Sequence, residues 1–133
     1  GGGRGTLNPT RRKLADHWAS VARERGVDAA ALHAQARQLA ALYFTGYVVE
    51  AYAKALASAR GGAVLHTHNL IPLLEECGIH RSDLPLDLRV YADERTVTMR
   101  YDPVLSPEVD YATELARAQK LAAHLGRRLR RLV

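Results

Sequence analysis

The stretch Ala41-Leu42-Tyr43-Phe44-Thr45-Gly46-Tyr47-Val48-Val49-Glu50-Ala51-Tyr52-Ala53-Lys54-Ala55-Leu56-Ala57 decides the fold class. Leu42, Tyr43, Tyr47, Val48, Ala51, Tyr52, Ala55 and Leu56 recur three and four residues apart, the period of one helix face. The same period reaches back to Leu32 and Leu39, and no Pro interrupts it between Asp28 and the Gly61-Gly62 pair. The spacing predicts a long helix capped by Asp28 and closed by that glycine pair, with Gly46 as its most bendable point. Ala occurs 22 times in 133 residues while only 6% are aromatic. Such a composition favours close-packed helices over a sandwich or barrel.

Outward from this segment, further helix signals follow in order. Asn8-Pro9 is a cap followed by Pro at the first helical position. With Leu14, Trp18, Val21 and Ala22 behind it and Gly26 as a stop, it predicts a first helix over 9–25. Asn69 caps a short helix carrying Leu70, Ile71, Leu73 and Leu74, in which Pro72 falls in the tolerant first turn and Gly78 ends the run. Pro85 opens a fourth segment with Leu88 and Tyr91 on one face. Thr96–Met99 reads as extended loop, and Ser106-Pro107-Glu108 as the start of a last helix striped by Leu115, Leu121, Leu125, Leu129 and Leu132. The expected architecture is all-α, a single-domain bundle of about five helices over residues 8–133, behind a flexible Gly-rich arm at 1–7.

Charge is unevenly placed. The formal charge is +5, yet Arg4, Arg11, Arg12 and Lys13 at one end and Arg127, Arg128, Arg130 and Arg131 at the other supply eight positives. The remaining chain, with eleven basic and fourteen acidic residues, is mildly negative. Basic ends can meet phosphate or serve as solvated helix ends; sequence alone implies no single groove. One Cys excludes a disulfide framework and suits a reducing compartment. No apolar run reaches the ~20 residues that span a bilayer, so the expectation is cytoplasmic and without a membrane partner.

Several clusters could carry chemistry. His66, His68, Cys77 and His80 spell H-x-H…C-x-x-H. An intervening helix would hold its ends ~12 Å apart, too far for ligands of one zinc ion, so no metal and no cofactor is expected. Cys77 reads instead as a small buried residue. Glu50 and Lys54, at i and i+4, read as an exposed ion pair or as a polar patch at a helix seam. His68 stands at a helix start, where it could order the loop or meet an anion. Arg100-Tyr101-Asp102-Pro103 is a polar loop whose Arg100 could grip phosphate through its planar fork or tie the loop to an acidic neighbour. Phosphate-loop, zinc-protease and nucleophile-elbow signatures are missing from the sequence.

Three of these segments together resemble HEPN-domain proteins. Tyr43-x-x-Gly46-Tyr47-x-x-Glu50-x-x-x-Lys54-Ala55 is similar to the family's second helix, Thr67-His68-Asn69-Leu70 to its Thr-His-Asp-Leu segment, and Arg100-Tyr101 before the last helix to its Arg-Tyr loop. The resemblance covers residues 29–125. It implies a helical homodimer, an RNA- or nucleotide-related role, and in bacteria frequent pairing with a minimal nucleotidyltransferase as toxin and antitoxin. Many members are metal-independent ribonucleases using Arg and His four to six residues apart. Here no His follows Arg100 before His124, so enzyme status stays open. If cleavage occurs, His68 and Arg100 are the catalytic candidates; Lys54, Arg60, Arg100, Tyr101, Arg127 and Arg128 are the candidate RNA or nucleotide contacts. The alternative is a non-catalytic dimerisation or adaptor module that binds another protein.

Overall fold

A computed structural model describes residues 7–94 and 104–133. Among these it contains five α-helices and no strand: α1 (Pro9–Ala34), α2 (Gln38–Arg60), α3 (Leu70–Glu76), α4 (Leu86–Glu94) and α5 (Tyr111–Leu132). A single 3₁₀ turn, Arg81–Asp83, lies between α3 and α4. The all-α expectation holds. The Thr96–Met99 loop reading, with Arg100 and Tyr101, lies outside the described residues.

Asn8 caps α1, its Oδ1 accepting from the Thr10 N–H at 2.8 Å and more weakly from Arg11 at 3.4 Å. The helix does not stop at Gly26. It runs on to Ala34 because its whole length packs on α2, chiefly through the buried Ala15, Ala19, Ala22 and Ala29. Small side chains let two backbones approach closely, and that packing offsets the ~1 kcal/mol by which Gly trails Ala inside a helix. The break falls at Gln35–Arg37 instead. Ala36 takes a left-handed φ of 57°, and the Arg37 N–H reaches back to the Leu32 carbonyl at 2.9 Å. The expected helix from Asp28 to Arg60 is therefore two helices joined by a tight antiparallel turn.

Buried α2 is the centre of the molecule. Val49, Ala53 and Leu56 pack with Leu70, Leu73 and Leu74 of α3, Leu88 of α4, and Leu121 and Leu125 of α5. A smaller cluster, Ala15, Ala19, Ala55, Ala59 and Leu129, joins α1, α2 and α5 at the other end, with Leu7 and Trp18 against it. The helix after Asn69 forms as expected, and Gly78, at φ 74°, follows it. The last helix starts later than expected. Ser106 heads a turn, accepting the Val109 N–H at 3.0 Å on its carbonyl, and Asp110 is the residue before α5. Lys120–Asp87, 2.7 Å apart, ties α4 to α5.

Candidate functional site

Two features gather the polar residues singled out by sequence. The first lies midway along α2, facing the start of α3. Glu50 is 5% exposed, and its two carboxylate oxygens stand 3.1 and 3.0 Å from Nδ1 of His68. The loop that delivers His68 is itself held, with Thr67 Oγ1 accepting the Asn69 N–H at 3.1 Å. Burying a carboxylate costs several kcal/mol (~2 or more) unless a donor answers it; the imidazole is one such donor. With Nδ1–H directed at Glu50, a neutral ring has Nε2 as its proton-accepting atom. Tyr47 stands beside it, ring centroids 6.4 Å apart, and Phe44 meets Tyr47 edge-on at 5.4 Å.

This arrangement changes the reading of Glu50 and Lys54 as an exposed pair. Glu50 is buried beneath His68, whereas Lys54 places Nζ 4.8 Å above the Trp18 ring. Cation–π contact of that kind contributes about 0.5–1 kcal/mol and helps hold α1 on α2.

The second feature is at the far end of the bundle. Because α1 and α2 are antiparallel and α5 ends beside them, the start of α1, the end of α2 and the last turns of α5 share one pole. Arg60, Arg128 and Arg131 line a cavity of about 150 Å³ there, floored by Leu56, Cys77 and Leu132. Arg11 joins them, its guanidinium lying against Gly61 so closely that a Cβ built there would stand 2.6 Å from Cζ. Arg60 lies in the same way over Gly78. Both glycines follow helix C-termini, where a cation is favoured by the aligned carbonyls. Among the described residues, none of these four arginines is in an ion pair. Arg127 is exposed on the same turns of α5.

The electrostatic effect of this pole registers on His124, one turn before Arg127 and Arg128. Its pKa is pushed below the ordinary imidazole value by partial burial first, and then by Arg128, Arg127 and Arg131. Cys77 shows burial more strongly still. Its thiol, with Sγ donating to the carbonyls of Ala53 and Leu73 at 3.1 and 3.2 Å, is pushed up to about 12 chiefly by desolvation.

Cys77 thus faces the α2 backbone while His68 faces Glu50, so the H-x-H…C-x-x-H residues do not converge. No group of three or more potential metal ligands gathers among the described residues. Of the sequence-derived candidates, Arg60 and Arg128 come together, Arg127 lies near them, and His68 and Lys54 stand apart along α2. Sequence reasoning missed Glu50 as the partner of His68, and Arg11 and Arg131 as neighbours of Arg60. Only the separate basic runs hinted at the latter.

No helix of the described residues is long and apolar enough to cross a membrane. Comparison with curated proteins and with solved structures yields no match. The family model for the HEPN domain matches residues 15–125, taking in α1 from Ala15 onward as well as the three motifs of α2, the α3 start and the segment before α5. With that match spanning most of the sequence, and five helices packed about a buried α2, the chain belongs to the HEPN-domain family.

Proposed function

We propose that this HEPN-domain chain binds RNA, as a homodimer, through the arginine-rich pole of its bundle. The observation that carries the reading is the meeting of Arg11, Arg60, Arg128 and Arg131 from three helices, with no ion pair among the described residues to neutralise them. Cations without carboxylate partners favour a polyanion, and each phosphate they neutralise releases a counterion. RNA affinity, measured by fluorescence anisotropy from 50 to 200 mM salt, is therefore expected to fall steeply. Arg128→Gln and Arg131→Gln are each expected to lower the slope of log K against log salt by about 0.7 per lost single-strand phosphate contact. Absence of RNA binding at low salt overturns the reading. In that case, a stable complex with another protein, such as a minimal nucleotidyltransferase, favours the adaptor role instead.

A second reading, metal-independent RNA cleavage, is favoured by one observation: a buried carboxylate orients His68. In such a reaction the 2′-oxygen attacks phosphorus as a base removes its proton, the P–O5′ bond breaks and the 5′-oxygen leaves, taking a proton from solvent, while a cation steadies the charge on the phosphoryl oxygens. His68 supplies the base in this reading and Arg100 the cation. Single-stranded RNA is then expected to be cut in chelator, with His68→Ala and Arg100→Ala each reducing the rate by at least about tenfold. Glu50→Gln is expected to shift the pH–rate profile, since it alters the group that orients the base. Intact RNA after incubation with wild type rejects cleavage and leaves RNA binding standing.

A further inference from the structure

We infer that the cavity between Arg60, Arg128 and Arg131 takes a terminal phosphate monoester, the 5′ end of an RNA strand. The macromolecular part of this inference rests on the RNA-binding reading; the phosphate site itself does not.

Size is the first argument. The cavity measures about 150 Å³. It is well below the ~300–1,000 Å³ of a pocket that encloses a whole small molecule. It is a recess open to solvent, with room for a phosphate and too small to enclose a base and ribose as well. In a strand interior each phosphate carries a nucleotide on both sides; at a strand end one side of the phosphate is free to face the arginines.

Charge is the second. Three guanidiniums around one small space repel each other, and among the described residues no carboxylate pairs with any of them. Glu76 is nearby, its Oε2 accepting the Ala63 N–H at 2.8 Å, and it makes no ion pair with these three arginines. A dianionic monoester matches this surplus better than a monoanionic diester, and planar guanidinium forks bind phosphate oxygens in pairs. The floor adds to the effect. Leu56 is 1% exposed and Cys77 fully buried, so the cations face apolar material that screens less than water.

Pre-organisation is the third. Arg60 is exposed, and its guanidinium lies over Gly78, where a Cβ would stand 2.9 Å from Nη2. The left-handed φ of 74° and the missing side chain at Gly78 together make that seat. The glycine thus leaves the guanidinium room at the rim before any ligand arrives.

The test compares one oligoribonucleotide carrying either a 5′-phosphate or a 5′-hydroxyl, with AMP and inorganic phosphate as small probes. Wild type is expected to bind the phosphorylated strand at least about tenfold more tightly, and AMP to raise its melting temperature. Arg60→Gln and Arg128→Gln are each expected to bring the ratio close to one and abolish the AMP shift. Arg128→Lys, which keeps the charge but loses the fork, is expected to keep only a weak preference, and Arg23→Gln on α1 to keep the full ratio. Melting curves establish that each variant is folded. RNA bound without end preference and without an AMP effect overturns the pocket and leaves the RNA reading intact. AMP stabilisation without RNA binding does the reverse. A wild-type preference that survives both glutamine variants places the phosphate elsewhere and overturns this assignment.

Discussion

Glu50 and His68 illustrate what a single hydrogen bond accomplishes inside a helical bundle. The carboxylate is buried and the imidazole covers it, so their energies are coupled. His68→Ala is expected to destabilise the fold by about 1–3 kcal/mol, since a buried charge loses a donor. Adding Glu50→Gln in that background is expected to recover part of the loss, and urea melts of the four proteins in the cycle measure it. His124 is expected to make stability pH-dependent on the acid side. Its folded pKa lies below the ordinary 6.5, so the unfolded chain takes up the proton first as pH falls. Stability present above that value is then lost between 6.5 and the depressed folded value. Melting temperature should fall more steeply below pH 6.5 in wild type than in His124→Gln. Phosphate at the arginine pole is expected to raise the His124 pKa, followed by NMR of its ring protons. Cys77 was legible as a buried residue from sequence; its inertness follows from a thiolate disfavoured by burial. It is expected to resist alkylation at pH 8 until the protein is unfolded.

At the scale of elements, the glycine and the turn are exchanged relative to what local rules suggest. Gly26 lies inside α1, and a Cβ there would meet Val48 Cγ2 at an ordinary 3.9 Å. Ala36, not a glycine, adopts the left-handed conformation between α1 and α2. Gly26→Ala and Ala36→Gly are therefore each expected to stabilise the protein, by about 0.5–1 kcal/mol in chemical denaturation. Their effects are expected to add, as the sites share no contact within the turn. A sequence reading of this region follows the glycine, because Gly is the commonest helix stop. It misses the true boundary because α2 packs along the full length of α1 and decides where α1 ends. The cap at Asn8 was legible for the opposite reason: a cap is a local matter of backbone N–H groups and their nearest acceptors. Asn69 stands before α3 as expected, but its side chain makes no capping hydrogen bond.

For the molecule as a whole, packing determines what the basic ends can do. Truncation after Gly126 would remove four arginines but also Leu129, which is 6% exposed and packs on Ala15, Ala19 and Ala55. Point substitution is the cleaner probe: loss of charge without loss of packing. Much of the apolar surface of α2, which in sequence seems ample for a partner subunit, is already consumed by α1, α3, α4 and α5. What remains half-exposed on it includes Tyr43, Phe44, Tyr47 and Val48. The homodimer proposed above is expected to give twice the chain mass in light scattering at micromolar concentration. A monomer across that range rejects it.

The sequence by itself determined the class of the fold, the short helix after Asn69, the burial of Cys77 and the family. Each of these rests on periodicity, on caps, or on motifs contained within one segment. Tertiary structure alone decided three things. It set where α1 ends, since the packed length of α2 outweighs a glycine's local preference. It turned Glu50 from an exposed ion-pair partner into the buried support of His68. And it drew Arg11, Arg60, Arg128 and Arg131 to one pole, because only the antiparallel course of α1 and α2, with α5 ending beside them, brings these distant parts of the chain together.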